Sequence, residues 1–275
     1  LLLHVPLHAA PPKVIFGKFV PGQQPDGYSV IFETREGLVV VDTGRHREHT
    51  RQILDYAHGR RIAAIINTHW HLDHIGGNAL FAGVPIYASG AFAEARGGFL
   101  ANYAKQLEEM IAKSGGEEKQ RFETELALIR NGDALQPTVV VTENRKLGAL
   151  ELHLEKDAVT AGDLWIFDPK SKTLVAGDLI TLPVPFLDTA CPQKWKGALD
   201  RLSAVKFDRV IPGHGPVMTR AQFERYRTAY VNFLTCEKEC EAQWLKDVGD
   251  LVPESEHEFT KQLLGYYLGL RKRCA

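Results

Sequence analysis

The chain has 275 residues, of which 44% are hydrophobic and 24% charged, and its formal net charge is −1. This composition is typical of a globular protein with a sizeable core, and the balanced charge argues against a nucleic-acid or acidic-membrane partner. No apolar run approaches the roughly eighteen residues that a membrane-spanning helix needs.

The first residues of the chain and its cysteines indicate in which cellular compartment the protein is expected. Residues 1–10 are apolar but too short and interrupted for a full signal peptide, so we interpret them as the remnant of a processed precursor. Four cysteines allow two disulfides in three connectivities, which favours a periplasmic or secreted protein. The alternative is a cytoplasmic protein with free core thiols. The cysteines are Cys191, Cys236, Cys240 and Cys274.

The first part of the chain alternates strands with a helix, a succession that builds an α/β layer. A turn-rich segment at 21–27 separates the first two strands, and the third ends at Asp42-Thr43-Gly44. The helix is amphipathic, and we expect His46, His49 and His58 on its solvated side. The strands are predicted at 14–16, 28–32, 38–41 and 62–66, and the helix at 46–58.

Directly after the strand at 62–66, three histidines and an aspartate lie within six residues. Residues two apart on an extended segment point the same way, so His69 and His71 can converge on one ion. Asp73 and His74 then turn toward a neighbouring point. This spacing predicts a metal centre at the end of a buried strand.

The middle of the chain changes character. Residues 91–135 are rich in Ala, Glu, Lys and Leu and predict two helices, at 93–114 and 117–130, joined at Gly115-Gly116. Their charged side chains indicate a solvated surface. Strands are expected on either side of this segment, at 84–88, 138–141, 150–154, 164–167 and 173–176.

The last part supplies a second carboxylate and another histidine at strand ends. Asp178 follows the strand at 173–176, and a strand over 207–211 leads to His214 between two glycines, where the backbone can bend inward. The other expected elements are an irregular loop at 183–192, whose Phe186 and Leu187 can wall a substrate pocket, a helix at 195–202, and helices from 219 to the end with a break at 249–253.

Four motifs in this order resemble the metallo-β-lactamase superfamily, in particular its glyoxalase- and lactonase-like branches. They cover about residues 14–220 and are Asp42-Thr43-Gly44, the His-x-His-x-Asp-His run from His69 to His74, Gly177-Asp178, and Pro212-Gly213-His214-Gly215. The resemblance implies a four-layer αββα sandwich with two mixed β-sheets. We expect this domain over 1–220, with a helical insertion at 91–135 that either shapes access to the site or is merely solvated, and a C-terminal helical extension over 221–275 packed on it.

The resemblance also implies ligands for two metal positions that share one carboxylate. The first position would take His69 and His71, the second Asp73, His74 and His214, and both would share Asp178. Asp42 would support the metal loop, the segment from His69 to His74, by orienting its ligands. The expected metal is zinc, as one or two ions, and the ligand types do not exclude iron or manganese.

One ligand of the family pattern is missing. Members usually place a histidine in a His-Thr-x-Gly-Asp turn, and here the corresponding segment is Ala158 to Asp163, with Val159 at the ligand position. Valine cannot coordinate a metal. His153 is a poor substitute, because it alternates with core residues and lies about 20 Å along an extended chain from Val159. We therefore expect an incomplete first position.

The expected activity is hydrolysis of an ester, lactone, thioester or amide in a small-molecule substrate through a metal-bound hydroxide. Asp73 would orient the hydroxide or take a proton as general base. The alternative is a degenerate member that binds metal or ligand without turnover. A β-lactamase and an iron persulfide dioxygenase are less favoured, and the sequence does not indicate an oligomeric state.

Overall fold

The computed structural model describes residues 10–18 and 24–274, and two six-stranded mixed β-sheets form its centre. The precursor remnant expected at the start lies outside the described residues except for Ala10, as does part of the turn at 21–27. Helices cover the outer face of each sheet, so the αββα sandwich expected from the sequence is confirmed.

The first sheet has its strands in chain order, β1 to β6. The first three strands pair antiparallel, and the pairs from β3 to β6 are parallel, so the carboxyl ends of β3 and β4 meet at one edge. Its strands are β1 Lys13–Ile15, β2 Ser29–Thr34, β3 Gly37–Val41, β4 Ile62–Ile66, β5 Ile86–Ala88 and β6 Val139–Val140.

The second sheet has the order β12-β11-β10-β9-β8-β7. Only the β10–β11 pair within it is parallel, which places the carboxyl ends of these two strands side by side. Its strands are β7 Arg145–Leu147, β8 Leu150–Glu155, β9 Asp163–Asp168, β10 Thr173–Thr181, β11 Arg209–His214 and β12 Met218–Thr219.

Apart from the single-turn α2 after β4, the α-helices fall into three sets. α1 covers the first sheet, α3 to α5 form the insertion, and α6 to α9 cover the second sheet. Their bounds are α1 Arg47–Ala57, α2 Leu72–Ile75, α3 Ala91–Gly97, α4 Phe99–Lys113, α5 Gly116–Arg130, α6 Pro192–Ser203, α7 Arg220–Thr235, α8 Cys240–Val248 and α9 His257–Tyr267, with short 3-10 helices at Gly76–Leu80, Gly132–Leu135, Gly249–Leu251 and Glu254–Glu256.

Alternate strand residues form the core between the sheets, where Val39 and Ile66 of the first sheet share one apolar cluster with Leu152 and Ile166 of the second. A second cluster lies beneath α6 to α9 and joins strand residues to Trp244 and Tyr267 of the C-terminal helices. Burying such side chains stabilises a fold by about 1.5–3 kcal/mol each.

Three local expectations differ from the structure. The insertion contains three helices rather than two, because Gly97-Gly98 interrupts the first of them. The short strands β7 and β12 were not expected. His49 is buried rather than solvated, and its Nε2 lies 2.8 Å from the Ser29 hydroxyl. The buried Ile53 is four positions further along the helix, so both side chains face the sheet.

Cys236 and Cys240 form a disulfide between the end of α7 and the start of α8, while Cys191 and Cys274 are free. Among the residues that the structure describes, no helix is both long and apolar enough to cross a membrane.

Candidate metal centre

The predicted ligands lie where strands of both sheets end. His69, His71, Asp73 and His74 follow β4 of the first sheet. Asp178 and His214 come from the adjacent strands β10 and β11 of the second. These six residues are buried, although all are polar or charged. The centre therefore lies between the sheets and draws ligands from both.

Two groups of potential ligand atoms form, each with all atoms within 4.8 Å of one another. We call them the Asp73 group, which consists of Asp73, His74, Asp178 and His214, and the His69 group, which consists of His69, His71 and Asp178. The structure thus brings together all six residues proposed as ligands, with Asp178 in both groups.

Unpaired polar atoms indicate what this centre fits. His69 Nε2, His74 Nε2 and Asp178 Oδ1 are buried and make no hydrogen bond. The last two lie 3.2 Å apart and form an ion pair when the imidazole is protonated. An unpaired buried polar group costs about 1–3 kcal/mol, and a cation in each group would satisfy these atoms. Imidazole and carboxylate donors suit zinc, iron or manganese.

Asp178 reaches the centre from inside a strand, not after its end as the sequence suggested, because β10 continues to Thr181. The pairing of β10 with β11 shifts register at Gly177, whose φ is +53°. A Cβ there would lie 2.6 Å from the Thr68 Cβ, and a Cβ on Gly213 would lie 1.9 Å from Asp178 Oδ1. Glycine at both positions lets the strands approach the metal loop.

Asp42 supports ligands of both groups. One of its oxygens accepts hydrogen bonds from the Thr68 hydroxyl at 2.7 Å and from His74 Nδ1 at 2.8 Å. Because the Thr68 hydroxyl donates to Asp42, its oxygen accepts from His69 Nδ1 at 3.0 Å. Both imidazoles therefore carry a proton on Nδ1, and Nε2 is the nitrogen that can bind a cation.

Val159 lies within the apolar cluster beneath α6 to α9 and is linked to the His69 group through Thr189. Its carbonyl accepts a hydrogen bond at 2.9 Å from the Thr189 hydroxyl, which lies 2.9 Å from His71 Nε2. His153 stacks on Trp165 with 3.8 Å between ring centroids, and it belongs to neither ligand group.

The electrostatics of the two groups differ. Burial favours neutral His74 and His214, but the neighbouring carboxylates outweigh burial and raise the pKa of both rings. The same contacts hold the pKa values of Asp73 and Asp178 below the ordinary range, against the effect of burial. In the His69 group burial dominates, and it lowers the pKa of His71 to about 4.

Arg45 is a neighbour of the centre that the sequence analysis missed. Its guanidinium lies 3.9 Å from Asp73 Oδ1 and pairs with Glu125 of α5 in the insertion. Burial and Glu125 raise the pKa of the nearby Tyr103 to about 12. The position of Arg45 directly after Asp42-Thr43-Gly44 was the available signal. One end of the insertion is thus connected to a ligand of the Asp73 group.

An apolar cleft of about 290 Å³ lies beside His214. Its residues come from the N-terminal strands, the loop after β10 and the segment before α9, and Glu256 is the acidic one. Burial raises the pKa of Glu256. The loop at 183–192 was expected to wall a pocket with Phe186 and Leu187. Pro183 of this loop lines the cleft. Phe186 packs against His71 instead, with 5.2 Å between ring centroids, and Leu187 is in the core.

Two sheets between helices, with potential metal ligands from both at the strand ends, define an αββα protein with a metal-binding type of site. The family model of the metallo-β-lactamase superfamily matches residues 24–214. The chain belongs to this superfamily.

Individual relatives are more distant. The chain is 27% identical over 232 residues to a linear primary-alkylsulfatase of a Pseudomonas strain, a match that covers 70% of this chain and 42% of the relative. It therefore spans less than half the length of that relative.

Solved structures share the fold. A metallo-β-lactamase from Pontibacter korlensis superposes with a TM-score of 0.56 at 22% identity, over 78% of this chain and 92% of the other. The structure of TTHA1623 in a di-iron-bound form superposes with a TM-score of 0.53 at 23% identity, over 75% of this chain and 96% of the other.

Proposed function

We propose that this protein is a metal-dependent hydrolase of an ester-type bond in a small molecule. The observation that carries the proposal is the pair of ligand groups joined by Asp178, with buried nitrogen and oxygen atoms left unpaired between them. A metal bound there would lower the pKa of a water molecule and polarise the bond to be cleaved. We propose zinc, with iron and manganese as the alternatives to test.

Asp73 is the residue we assign to orienting the attacking water. Its Oδ2 lies 2.9 Å from His214 Nε2, and Arg45 lies on the side of its Oδ1. Burial opposes its charge, but His74 and His214 hold its pKa well below the ordinary value. A carboxylate held in its charged form takes up a proton poorly but still accepts a hydrogen bond, so orientation is its main contribution.

The cleft beside His214 supports a substrate with an apolar group. Phe16, Tyr28, Pro183 and Val252 are among the uncharged residues that line this cleft, and Glu256 places a carboxyl at it. A negative tail would meet that carboxyl, so a neutral apolar tail fits better. Because the cleft has a volume of about 290 Å³, we propose a small-molecule substrate rather than a macromolecule.

A sulfate ester is a second candidate substrate, since the sequence relative is named an alkylsulfatase. An alkyl sulfate combines an apolar chain, which suits the cleft, with an anionic group, which suits a metal and the neighbouring Arg45 guanidinium. The rival is a non-catalytic member, which Val159 at a ligand position motivates.

The test compares chelated protein with protein reloaded with zinc, manganese or iron. Hydrolysis would be followed on chromogenic carboxylic esters, lactones, a thioester, a β-lactam and a medium-chain alkyl sulfate. We expect turnover of an ester-type substrate that chelation abolishes and metal restores. His69→Ala should reduce it strongly, whereas His58→Ala, at the exposed end of α1, should not. Metal binding without turnover on any substrate would favour the non-catalytic rival.

A further inference from the structure

Two threonines contact the imidazoles of the His69 group. Thr68 is adjacent to His69 in sequence, and its oxygen lies 3.0 Å from His69 Nδ1. Thr189 is 118 residues from His71, and its oxygen lies 2.9 Å from His71 Nε2. The two rings of this group are therefore oriented by different parts of the chain.

The hydrogen bonds of Thr189 determine which nitrogen of His71 carries the proton. A hydroxyl has one hydrogen, and the Val159 carbonyl, 2.9 Å from Thr189 Oγ1, can only accept it. The Thr189 oxygen must then accept from His71, so the ring proton is on Nε2. His71 Nδ1 is left with the lone pair that a cation requires.

The C-terminal helix α9 holds the loop that carries Thr189. The carboxylate of Asp188 accepts hydrogen bonds from Tyr266 at 2.7 Å and from Tyr267 at 3.1 Å. Arg273 donates to the Asp188 carbonyl. Phe186 of the same loop packs between the rings of His71 and Tyr267. Contacts on both sides of Thr189 thus fix its hydroxyl relative to His71.

We propose that Thr189 is a positioning residue that holds His71 in the tautomer and orientation in which Nδ1 binds a cation, and that α9 sets this geometry through Asp188. The inference rests on the proposed function only in taking His71 as a metal ligand. It has particular weight here because the His69 group has three ligands, with Val159 where the family carries another. A group with few ligands depends strongly on how well each is oriented.

The first experiment observes the tautomer in metal-free protein by ¹⁵N NMR of the His71 ring. We expect a protonated Nε2 in the wild type and in Thr189→Ser, which keeps the hydroxyl. Thr189→Val, which keeps the shape and loses the hydroxyl, should give a mixed or reversed tautomer. An unchanged His71 spectrum in Thr189→Val would overturn the proposal.

The second experiment measures cobalt binding by titration and absorption spectroscopy, without substrate. The His69-group component is identified as the one that His69→Ala removes. Thr189→Val should lower the cobalt affinity of this component by about tenfold or more, while the affinity of Thr189→Ser stays near that of the wild type. The Tyr266→Phe/Tyr267→Phe variant, which leaves Thr189 in place, should weaken it several-fold, and Tyr56→Phe, a hydroxyl loss on α1, should not.

Two outcomes of this titration would overturn the proposal: equal affinities in all variants, or the absence of any His69-dependent component in the wild type. Because no turnover is measured, a protein that binds cobalt as expected and hydrolyses nothing would contradict the hydrolase proposal alone.

Discussion

The two ligand groups of the centre share Asp178 and are equally buried, but they differ in charge and in support. The Asp73 group contains two carboxylates and two imidazoles of raised pKa. The His69 group has two imidazoles of lowered pKa and only the shared carboxylate. Burial favours neutral rings in both groups, and nearby carboxylates reverse that preference in one of them.

This difference indicates two ways of building a cation site. The Asp73 group attracts a cation by charge, and protons compete with the cation for its imidazoles. The His69 group offers rings that are already neutral, so its affinity depends on their orientation. The supports differ as well, since Asp42 bonds His74 directly and reaches His69 only through Thr68, whereas Thr189 bonds His71 and is held by the distant helix α9.

Removing the shared carboxylate should have the largest effect. Asp178→Asn takes a ligand from both groups, so we expect metal content to fall below one ion per chain. Hydrolysis should fall by about 1,000-fold, because several kcal/mol of charge stabilisation is lost. Elemental analysis and steady-state rates measure this, with the exposed Asp208→Asn as control. Loss of one metal only would show that Asp178 serves a single group.

Asp42→Asn should weaken both groups, because Asp42 orients His74 directly and His69 through Thr68. We expect a loss of about 10–100-fold in cation affinity at each. Thr189→Val should affect the His69 group alone, so cobalt titrations of the two variants compare the supports. An Asp42→Asn effect confined to one group would contradict this prediction.

Raising the pH should separate the groups. In metal-free protein, carboxylates raise the pKa of His74 well above 6.5 despite burial, so the bound cation must displace its proton. Affinity at the Asp73 group should therefore rise with pH, by up to about tenfold per unit for each proton displaced. His71, with a pKa of about 4, is already neutral between about pH 6 and pH 8. Affinity at the His69 group should be nearly flat there, and parallel slopes in the two titrations would contradict the assignment.

Val159→His tests whether the His69 group lacks one ligand. Thr189 links the backbone of residue 159 to the His71 ring, so the new imidazole would be near the His69 group. We expect about one additional metal per chain and a several-fold rise in hydrolysis. Val184→His, in the same apolar cluster, controls for burying a histidine. Two metals already present in the wild type would show that the group is complete without it.

Much of this architecture could be predicted from local sequence patterns. The order of strands and helices and the placement of His69 to His74 after a buried strand follow from apolar periodicity and spacing, which act within a few residues. The insertion was misjudged at Gly97-Gly98, because one glycine pair within a helical pattern does not by itself show a break. Burial of His49 could have been inferred from its spacing to Ile53.

Other features depend on residues far apart in the chain. No local pattern shows that Glu125 of the insertion pairs with Arg45, or that Tyr266 and Tyr267 hold the loop bearing Thr189. The identity and order of the candidate ligands could be predicted from the sequence, because chemistry and strand position are local properties. Which nitrogen each histidine offers, and the pKa of its ring, were decided by the tertiary structure, because they depend on hydrogen bonds and charges that folding brings together.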